Sequence, residues 1–355
     1  MNPTGKQIRL RQFLAASLLV QGTLLRFRPS GKLALLAAYF AVIKAMAGAL
    51  SPLLVPLGAL LGLRIWRRGE RGTALAALAG SALAADHVAR VIAPHDAFAQ
   101  AFGAGWEAHI PAHLRARFRS RRWPARPPGG PPPRHRPDIP FATWPDGTPL
   151  LCDLWLPPAG VEPTGLGLIY LHGSAWHYID KDVGTRPFFR ALARQGHVVM
   201  DVAYTLSPRA TMQVMVGDVK RAIAWLKEEG STYGVDPERI VLTGGSAGGH
   251  LALLAAYTPN DPDLQPAGLA GDTSVAGVVA YYGFADLAAT HRYFNAAGEG
   301  VAGRIMAFSD DLFCRLFDER LRGIGFIPPY GRWVPMTEFL SLPLGGTPAD
   351  VPEAY

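Results

Sequence analysis

The stretch Thr243-Gly244-Gly245-Ser246-Ala247-Gly248-Gly249-His250 constrains this chain more than any other. Arg239 to Thr243 before it reads as a short buried strand, and Leu251-Ala252-Leu253-Leu254-Ala255-Ala256-Tyr257 after it reads as an apolar helix. A serine at G-x-S-x-G spacing between a strand and a helix is the pattern of a nucleophile elbow. In so tight a turn a Cβ at Gly244 or Gly248 is expected to collide with its neighbours, and the serine is expected in a strained conformation. The gain is an exposed Oγ at a helix N-terminus, beside backbone N–H groups that favour developing negative charge. The alternative is a plain glycine-rich turn whose Ser246 only caps a helix.

The front of the chain obeys different rules. Its 355 residues allow about two domains. Hydrophobic residues make up 49% and charged ones 18%, apolar for a soluble protein, and the surplus lies at the front. Residues 1–32 are basic, with an apolar patch from Phe13 to Leu25 that could form an interfacial helix; no small-residue cleavage site makes it a signal peptide. Leu33 to Leu63 is apolar, with Lys44 its only charge. That exceeds the roughly 20 residues of one helical span and falls short of two. Ser51-Pro52 and Pro56 leave open one kinked span or a tight hairpin. Arg64, Arg67, Arg68 and Arg71 follow, then a second apolar stretch, Thr73 to Ala93, whose Asp86, His87 and Arg90 are expected near a helix end at headgroup level. Leu33–Leu63 has no polar face to show water, so membrane insertion is expected over a buried soluble bundle. Basic clusters stand before, between and after the two stretches. The positive-inside rule therefore picks no side, and only the arginines after Ala112 lean towards the cytoplasmic face.

Much of the net charge of +7 lies between Arg115 and Arg136. With a membrane signal next door and no nucleic-acid-binding motif, this points to anionic lipid headgroups as partner and away from nucleic acid. The two cysteines, Cys152 and Cys314, make neither a disulfide framework nor a zinc pattern. Cys152 falls in an alternating strand pattern as a small apolar filler. Arg122 to Pro140 is dense in proline, which favours an extended spacer over a docking ligand. The chain thus divides into a helical membrane-associated region (1–112), a basic proline-rich linker (113–140) and a second domain (141–355).

In that domain, Phe141 to Trp144, Pro145-Asp146-Gly147 and Leu150 to Leu156 read as a hairpin, since Asp-Gly tolerates the positive φ of a tight turn. Gly165 to Leu171 is a continuous apolar run, as in a strand buried on both faces. It ends in His172-Gly173-Ser174-Ala175-Trp176, small residues that let backbone approach a reacting carbonyl. In an acyl-transfer enzyme the N–H groups of Gly173 and Ser174 would join that of Ala247 to bind an oxyanion. Pro187 to Gln195 reads as a helix, His197 to Tyr204 as a strand, Asp218 to Glu229 as an amphipathic helix, Asp236-Pro237-Glu238 as a turn and Ser274 to Tyr282 as a strand. This alternation predicts an α/β fold with a mostly parallel sheet.

Three segments now carry a resemblance: His172 to Trp176, Asp201-Val202-Ala203-Tyr204-Thr205-Leu206-Ser207-Pro208, and Gly244 to His250. Together they resemble the α/β-hydrolases, closest to the esterase/lipase group related to hormone-sensitive lipase. The similarity covers roughly residue 141 to the end. It departs in having Ser174 where the family loop usually has glycine, a change that keeps the N–H. The resemblance implies carboxylic ester hydrolysis by a Ser-His-Asp triad, with Ser246 as nucleophile, no metal and no cofactor, on a small-molecule ester or lipid-like substrate.

In that family the acid and then the histidine follow the nucleophile. After Ser246 the chain has only His250 and His291. His250, one turn into the helix, belongs to the elbow's surroundings. Asp286 most simply caps the helix that follows it, with triad acid as its alternative role, and His291 is the matching candidate base. Residues 284–342 look like a lid that could line an acyl pocket, and Leu344 to Tyr355 resembles the segment before the family's acid-bearing strand. The expectation is therefore a C-terminally truncated hydrolase lacking its last strands, its acid and its histidine, tethered to a membrane. The alternatives are a catalytically incomplete binding module, or an amidase, formamidase or peptidase on the same site.

Overall fold

In the computed structural model, which describes residues 5–28, 41–93, 97–115, 130–298 and 344, the helices before residue 125 belong to one unit and the strands to another. The first unit is built on α1 (Gly5–Arg26), α2 (Ala41–Trp66) and α3 (Arg71–Ile92). The patch from Phe13 to Leu25 lies within α1. From Ala41 onward the apolar run is one continuous helix through Pro52 and Pro56, so the tight hairpin does not form there. A proline inside a helix leaves the carbonyl four residues back without its donor. Pro52 does this to Gly48, and the hydroxyl of Ser51 donates to Gly48 O instead, at 2.6 Å. Ser81 of α3 reaches across to donate to Val55 O at 2.7 Å. Asp86, His87 and Arg90 fall in the last two turns of α3. Ile43–Trp66 and the helix beginning at Arg71 are long and apolar enough to cross a bilayer.

The second unit holds a six-stranded sheet in the order β1-β2-β4-β3-β5-β6. Its strands are β1 (Arg134–Thr143), β2 (Pro149–Leu156), β3 (Gly165–Leu171), β4 (Val198–Val202), β5 (Val235–Gly245) and β6 (Gly277–Tyr281). β1 pairs β2, and β2 pairs β4, antiparallel; β4, β3, β5 and β6 run parallel. Helices α4 (Arg186–Ala193), α5 (Met212–Glu229), α6 (Ala247–Tyr257) and α7 (Leu287–Gly298) alternate with the strands. This is the mostly parallel α/β arrangement expected from the alternation.

The period-2 pleat decides the layers. Ile169, Leu171, Met200 and Leu242 pack with Met215, Val219, Ile223 and Leu226 of α5 and Leu251 of α6. Leu168, Val199 and Trp155 turn the other way, towards Phe189 and Ala193 of α4. Cys152 is fully buried in the larger core, as a filler should be. Several boundaries differ from the sequence reading. β1 begins at Arg134, inside the stretch read as linker, and takes in Pro137 and Pro140. It is an edge strand, where a missing N–H costs no ladder bond, and its register breaks between Arg136 and Ile139 and again after Pro140. The amphipathic helix begins at Met212 rather than Asp218. The turn at Asp236 to Glu238 lies within the bounds of β5, bulged out between its pairings at Val235 and Ile240. Apart from Leu344, the lid expected beyond Gly298 and the closing segment to Tyr355 lie outside the described residues, as does Cys314.

Gly80 is where α1 and α3 meet most closely: a Cβ there would lie 2.4 Å from the backbone carbon of Leu18. Gly80→Leu is expected to force α1 off α3 and lower the melting temperature of the detergent-solubilised chain, at a cost of about 1–3 kcal/mol or more. Ala79→Leu, one residue away on the exposed face, is expected to leave the melt unchanged.

Candidate active site

Ser246 sits between the end of β5 and the start of α6 with φ 54° and ψ −120°. A non-glycine residue persists at such angles only where its surroundings over-determine them. They do so here. Its N–H donates to Tyr281 O of the neighbouring strand at 2.9 Å, and its carbonyl accepts the N–H of His250 at 3.0 Å. A Cβ at Gly248 would lie 2.0 Å from Leu171 O and 2.5 Å from His172 O; one at Gly244 would lie 2.6 Å from Gly248 O. The bend can form only with bare Cα positions there, as the glycine spacing predicts.

The loop after β3 is pressed against this bend. A Cβ on Gly173 would lie 2.9 Å from Gly245 O and 3.4 Å from Ser246 Cβ, so Gly173 passes directly over the serine. Ser174, Ala175 and Trp176 all have positive φ, 76°, 57° and 66°. The Ser174 hydroxyl turns back into its own loop, within hydrogen-bond reach of Gly173 O and Tyr178 O. Ala247 opens α6 with its side chain fully buried. The sequence-predicted nucleophile and its loop therefore come together, and the serine at 174 is accommodated by local bonds.

Two buried rings stiffen the loop. His172 stacks on Tyr204 at 4.4 Å, donates from Nδ1 to Gly173 O at 3.0 Å, and its carbonyl accepts the Tyr204 hydroxyl at 2.9 Å. Burial pulls the His172 pKa below the ordinary imidazole value, so the ring stays neutral. Trp176, fully buried, meets His250 edge-on at 5.6 Å, so His250 packs beneath the elbow as expected. Asp286 accepts the N–H of Ala289 at 2.6 Å on Oδ1, which makes it the cap of α7. His291 lies on that helix.

The sequence reading missed a set of buried charges behind the loop. Asp153 of β2 and Asp201 of β4 face each other across the antiparallel pair. Asp153 accepts from Lys181 Nζ at 3.0 Å, His135 Nε2 at 2.9 Å and the N–H of Asp138 at 3.0 Å. Asp201 accepts the N–H of Asp182 at 2.6 Å. Lys181 and Asp182 continue the chain that begins at His172, so two carboxylates pin its far end. Desolvation pushes Asp201 up to about 8, reinforced by the neighbouring Asp153 charge. Desolvation also raises Asp153, but its donors outweigh this and hold it below the usual carboxylate range. The period-2 pattern did carry a signal, an acid at an inward strand position in each of two apolar strands.

Tyr282 is a second omission. It has φ 45° and is largely exposed, and its hydroxyl lies 2.6 Å from where a Gly245 Cβ would stand. A cleft of about 510 Å³ opens between β2 and the loops after β3 and β4, among Trp144, Leu151, His177, Lys181, Leu206 and Arg209. Ser246, which follows β5, is not among its walls. Among the described residues no group of three or more His, Cys, Asp or Glu could hold a metal ion.

A protein-family model described as BD-FAE matches residues 152–305, a span that includes all three motifs. The chain is similar to esterase LipQ of Mycobacterium tuberculosis, 42% identical over 42% of this chain and 35% of that one. It is 43% identical to the probable carboxylic ester hydrolase LipM of the same organism, over 38% and 31%. It is 32% identical to arylacetamide deacetylase of Bos taurus, over 32% and 29%. The chain thus spans about a third of the length of the curated relatives it matches. Among solved structures, esterase 2 of Thermogutta terrifontis aligns at 26% identity over 42% of this chain and 57% of that one, with a TM-score of 0.38. Esterase B of Lactobacillus rhamnosis aligns at 26% over 54% and 59%, also at 0.38.

Two variants test the roles assigned here. Asparagine caps a helix as well as aspartate does, whereas it costs about 10⁴-fold in place of a triad acid. Asp286→Asn is therefore expected to leave ester turnover within about twofold; a loss of several orders of magnitude would make Asp286 the acid. For Asp201, the folded state holds a proton between the ordinary value of 3.8 and about 8 that the unfolded chain has released. Its stabilising contribution is complete below the lower value and is lost as pH rises through the upper one. The melting temperature is expected to fall between pH 4 and pH 8 more steeply in the wild type than in Asp201→Asn.

Proposed function

From the BD-FAE domain that residues 152–305 form, a domain of the α/β-hydrolase esterases, we infer that this chain is a membrane-tethered serine carboxylic-ester hydrolase acting on a small-molecule ester or lipid-like substrate. The observation that carries the reading is the strained backbone of Ser246 beneath Gly173. Ser246 Oγ attacks the acyl carbon and gives up its proton to a base, a histidine by resemblance to the family. The tetrahedral oxyanion is received by the N–H groups of Gly173, Ser174 and Ala247, whose dipoles are fixed before the reaction begins. The alcohol departs with the proton, and water then cleaves the acyl-serine. Asp286 is assigned to capping, and His291 stays outside the catalytic set with it.

An amide substrate uses the same nucleophile and oxyanion geometry. The deacetylase among the relatives favours testing aryl amides beside esters. The membrane tether is read from α2 and α3, whose length and apolar composition suit a bilayer.

The full-length gene product is expected to hydrolyse short-chain p-nitrophenyl esters and to be labelled covalently by a fluorophosphonate probe. Ser246→Ala is expected to abolish labelling and lower turnover by about 10³-fold or more. Equal turnover by the two proteins would end the assignment. Absence of labelling in the wild type would favour a binding module on the same fold.

A further inference from the structure

In the N-terminal helices, side-chain size is sorted the wrong way for a soluble bundle. Most buried positions are small: Ala15 and Gly22 in α1, Gly58 in α2, Ala77, Gly80 and Ala84 in α3, with Leu25 and Ile65 the large side chains among them. The large apolar side chains face outward, with Phe13 67% exposed and Leu57 60% exposed while Ala77 is 0%. Water would drive the large groups inward. Lipid does not, and close backbone packing through small residues then decides which face meets its neighbour.

The charges are sorted too, into two rings. At one end Arg11 pairs with Glu70 at 2.5 Å, beside Arg64, Arg67, Arg68 and Arg71. At the other, Asp86 pairs with Arg26 and Arg90, each at 2.7 Å, and Lys44 donates to Phe27 O at 2.8 Å. The rings tie α1 to α3 at both ends, with Gly22 against Gly80 between them, so these two helices run parallel and α2 returns between the rings. At 1.5 Å per residue, Arg11 to Arg26 and Arg71 to Asp86 each cover about 22 Å, and Lys44 to Arg64 about 30 Å. Arginines reaching outward at both rings extend the shorter two towards the roughly 30 Å of a hydrocarbon core.

We propose that α1, α2 and α3 all cross the bilayer, so that the N-terminus and the hydrolase segment lie on opposite faces. This rests on the membrane reading of the helices and not on the ester-hydrolase reading. The chain leaves α3 at the Arg90 ring. Before β1 the described helical elements are Ala97–Phe102, Trp106–His109 and Ala112–Arg115, each far too short to cross back. The residues between Arg115 and Gly129 carry five further arginines. Seven basic residues flank the first ring, Lys6, Arg9 and Arg11 with the four arginines of the α2–α3 turn. Five flank the second: Arg26, Arg28, Lys32, Lys44 and Arg90. The arginines from Arg115 on lie more than about 20 residues past α3, beyond the reach of the positive-inside count. The first ring is therefore the cytoplasmic one, and the hydrolase segment faces outward.

Single cysteines introduced as Lys6→Cys, Arg68→Cys, Arg28→Cys and Tyr257→Cys, in the full chain with Cys314→Ser, test this with a membrane-impermeant maleimide. In sealed cells, Arg28→Cys and Tyr257→Cys are expected to label within minutes. Lys6→Cys and Arg68→Cys are expected to gain at least tenfold on permeabilisation. Labelling of Lys6→Cys and Tyr257→Cys from the same face would overturn the three spans, and the reverse pattern would overturn the orientation. Release of the chain by alkaline carbonate would overturn the membrane reading itself. Ester turnover, measured in parallel, reports on the hydrolase reading independently.

Discussion

The approach of Gly248 to the carbonyls of Leu171 and His172 is the contact on which the sheet unit turns. It locks the ends of two adjacent parallel strands together at a separation that admits no side chain. With β3 and β5 fixed there, the loop leaving β3 has one way to go, over Ser246, and the chain leaving β5 must reverse sharply into α6. The left-handed backbone of Ser246 is the outcome of that closure. A residue in such a conformation costs on the order of 1–3 kcal/mol, and the parallel ladder and the packed faces of α5 and α6 carry that cost. The strained residue lies where Gly173 passes closest.

The loop after β3 needs a second anchorage, because a run of three residues at positive φ does not hold its own shape. Its near end is held by ring stacking and hydrogen bonds between His172 and Tyr204, its middle by Trp176, and its far end by the buried carboxylates of Asp153 and Asp201. The two acids differ in what reaches them. Asp153 collects a lysine, a histidine and a backbone N–H and remains charged. Asp201 has one backbone donor and a neighbouring negative charge, and holds its proton to much higher pH. Removing a partner from such a set costs more than the set contributes, since the buried charge left behind cannot be resolvated.

How much of this was legible in the sequence follows from how local each feature is. The elbow was legible because glycine is the residue that fits a bend whose neighbours are backbone atoms, and the hairpin because Asp146-Gly147 suits its turn. The start of β1 was not, since prolines read as spacer unless the strand is known to lie at a sheet edge. The Asp153–Lys181–Asp201 set joins residues from two strands and a loop, and no spacing in the chain reveals that β2 and β4 are neighbours. For the run through Pro52 and Pro56 the sequence left one kinked span and a tight hairpin both open. Whether a proline breaks a helix depends on whether another donor serves the carbonyl it orphans, as the Ser51 hydroxyl serves Gly48 O.

One chain thus contains two opposite solutions to burying backbone and side chains. In the sheet unit the largest groups, Trp176, Phe189 and Leu154, are fully buried, as water requires, and the buried acids Asp153 and Asp201 take hydrogen-bond donors with them. In the helical unit most buried groups are small, Leu25 and Ile65 apart, and most leucines face out, with charge gathered towards the two ends. Packing alone does not choose between these patterns, because both give close contact. The surrounding medium does, and each pattern is stable only in its own. The two patterns change over within the stretch between α3 and β1, which is dense in arginine and proline.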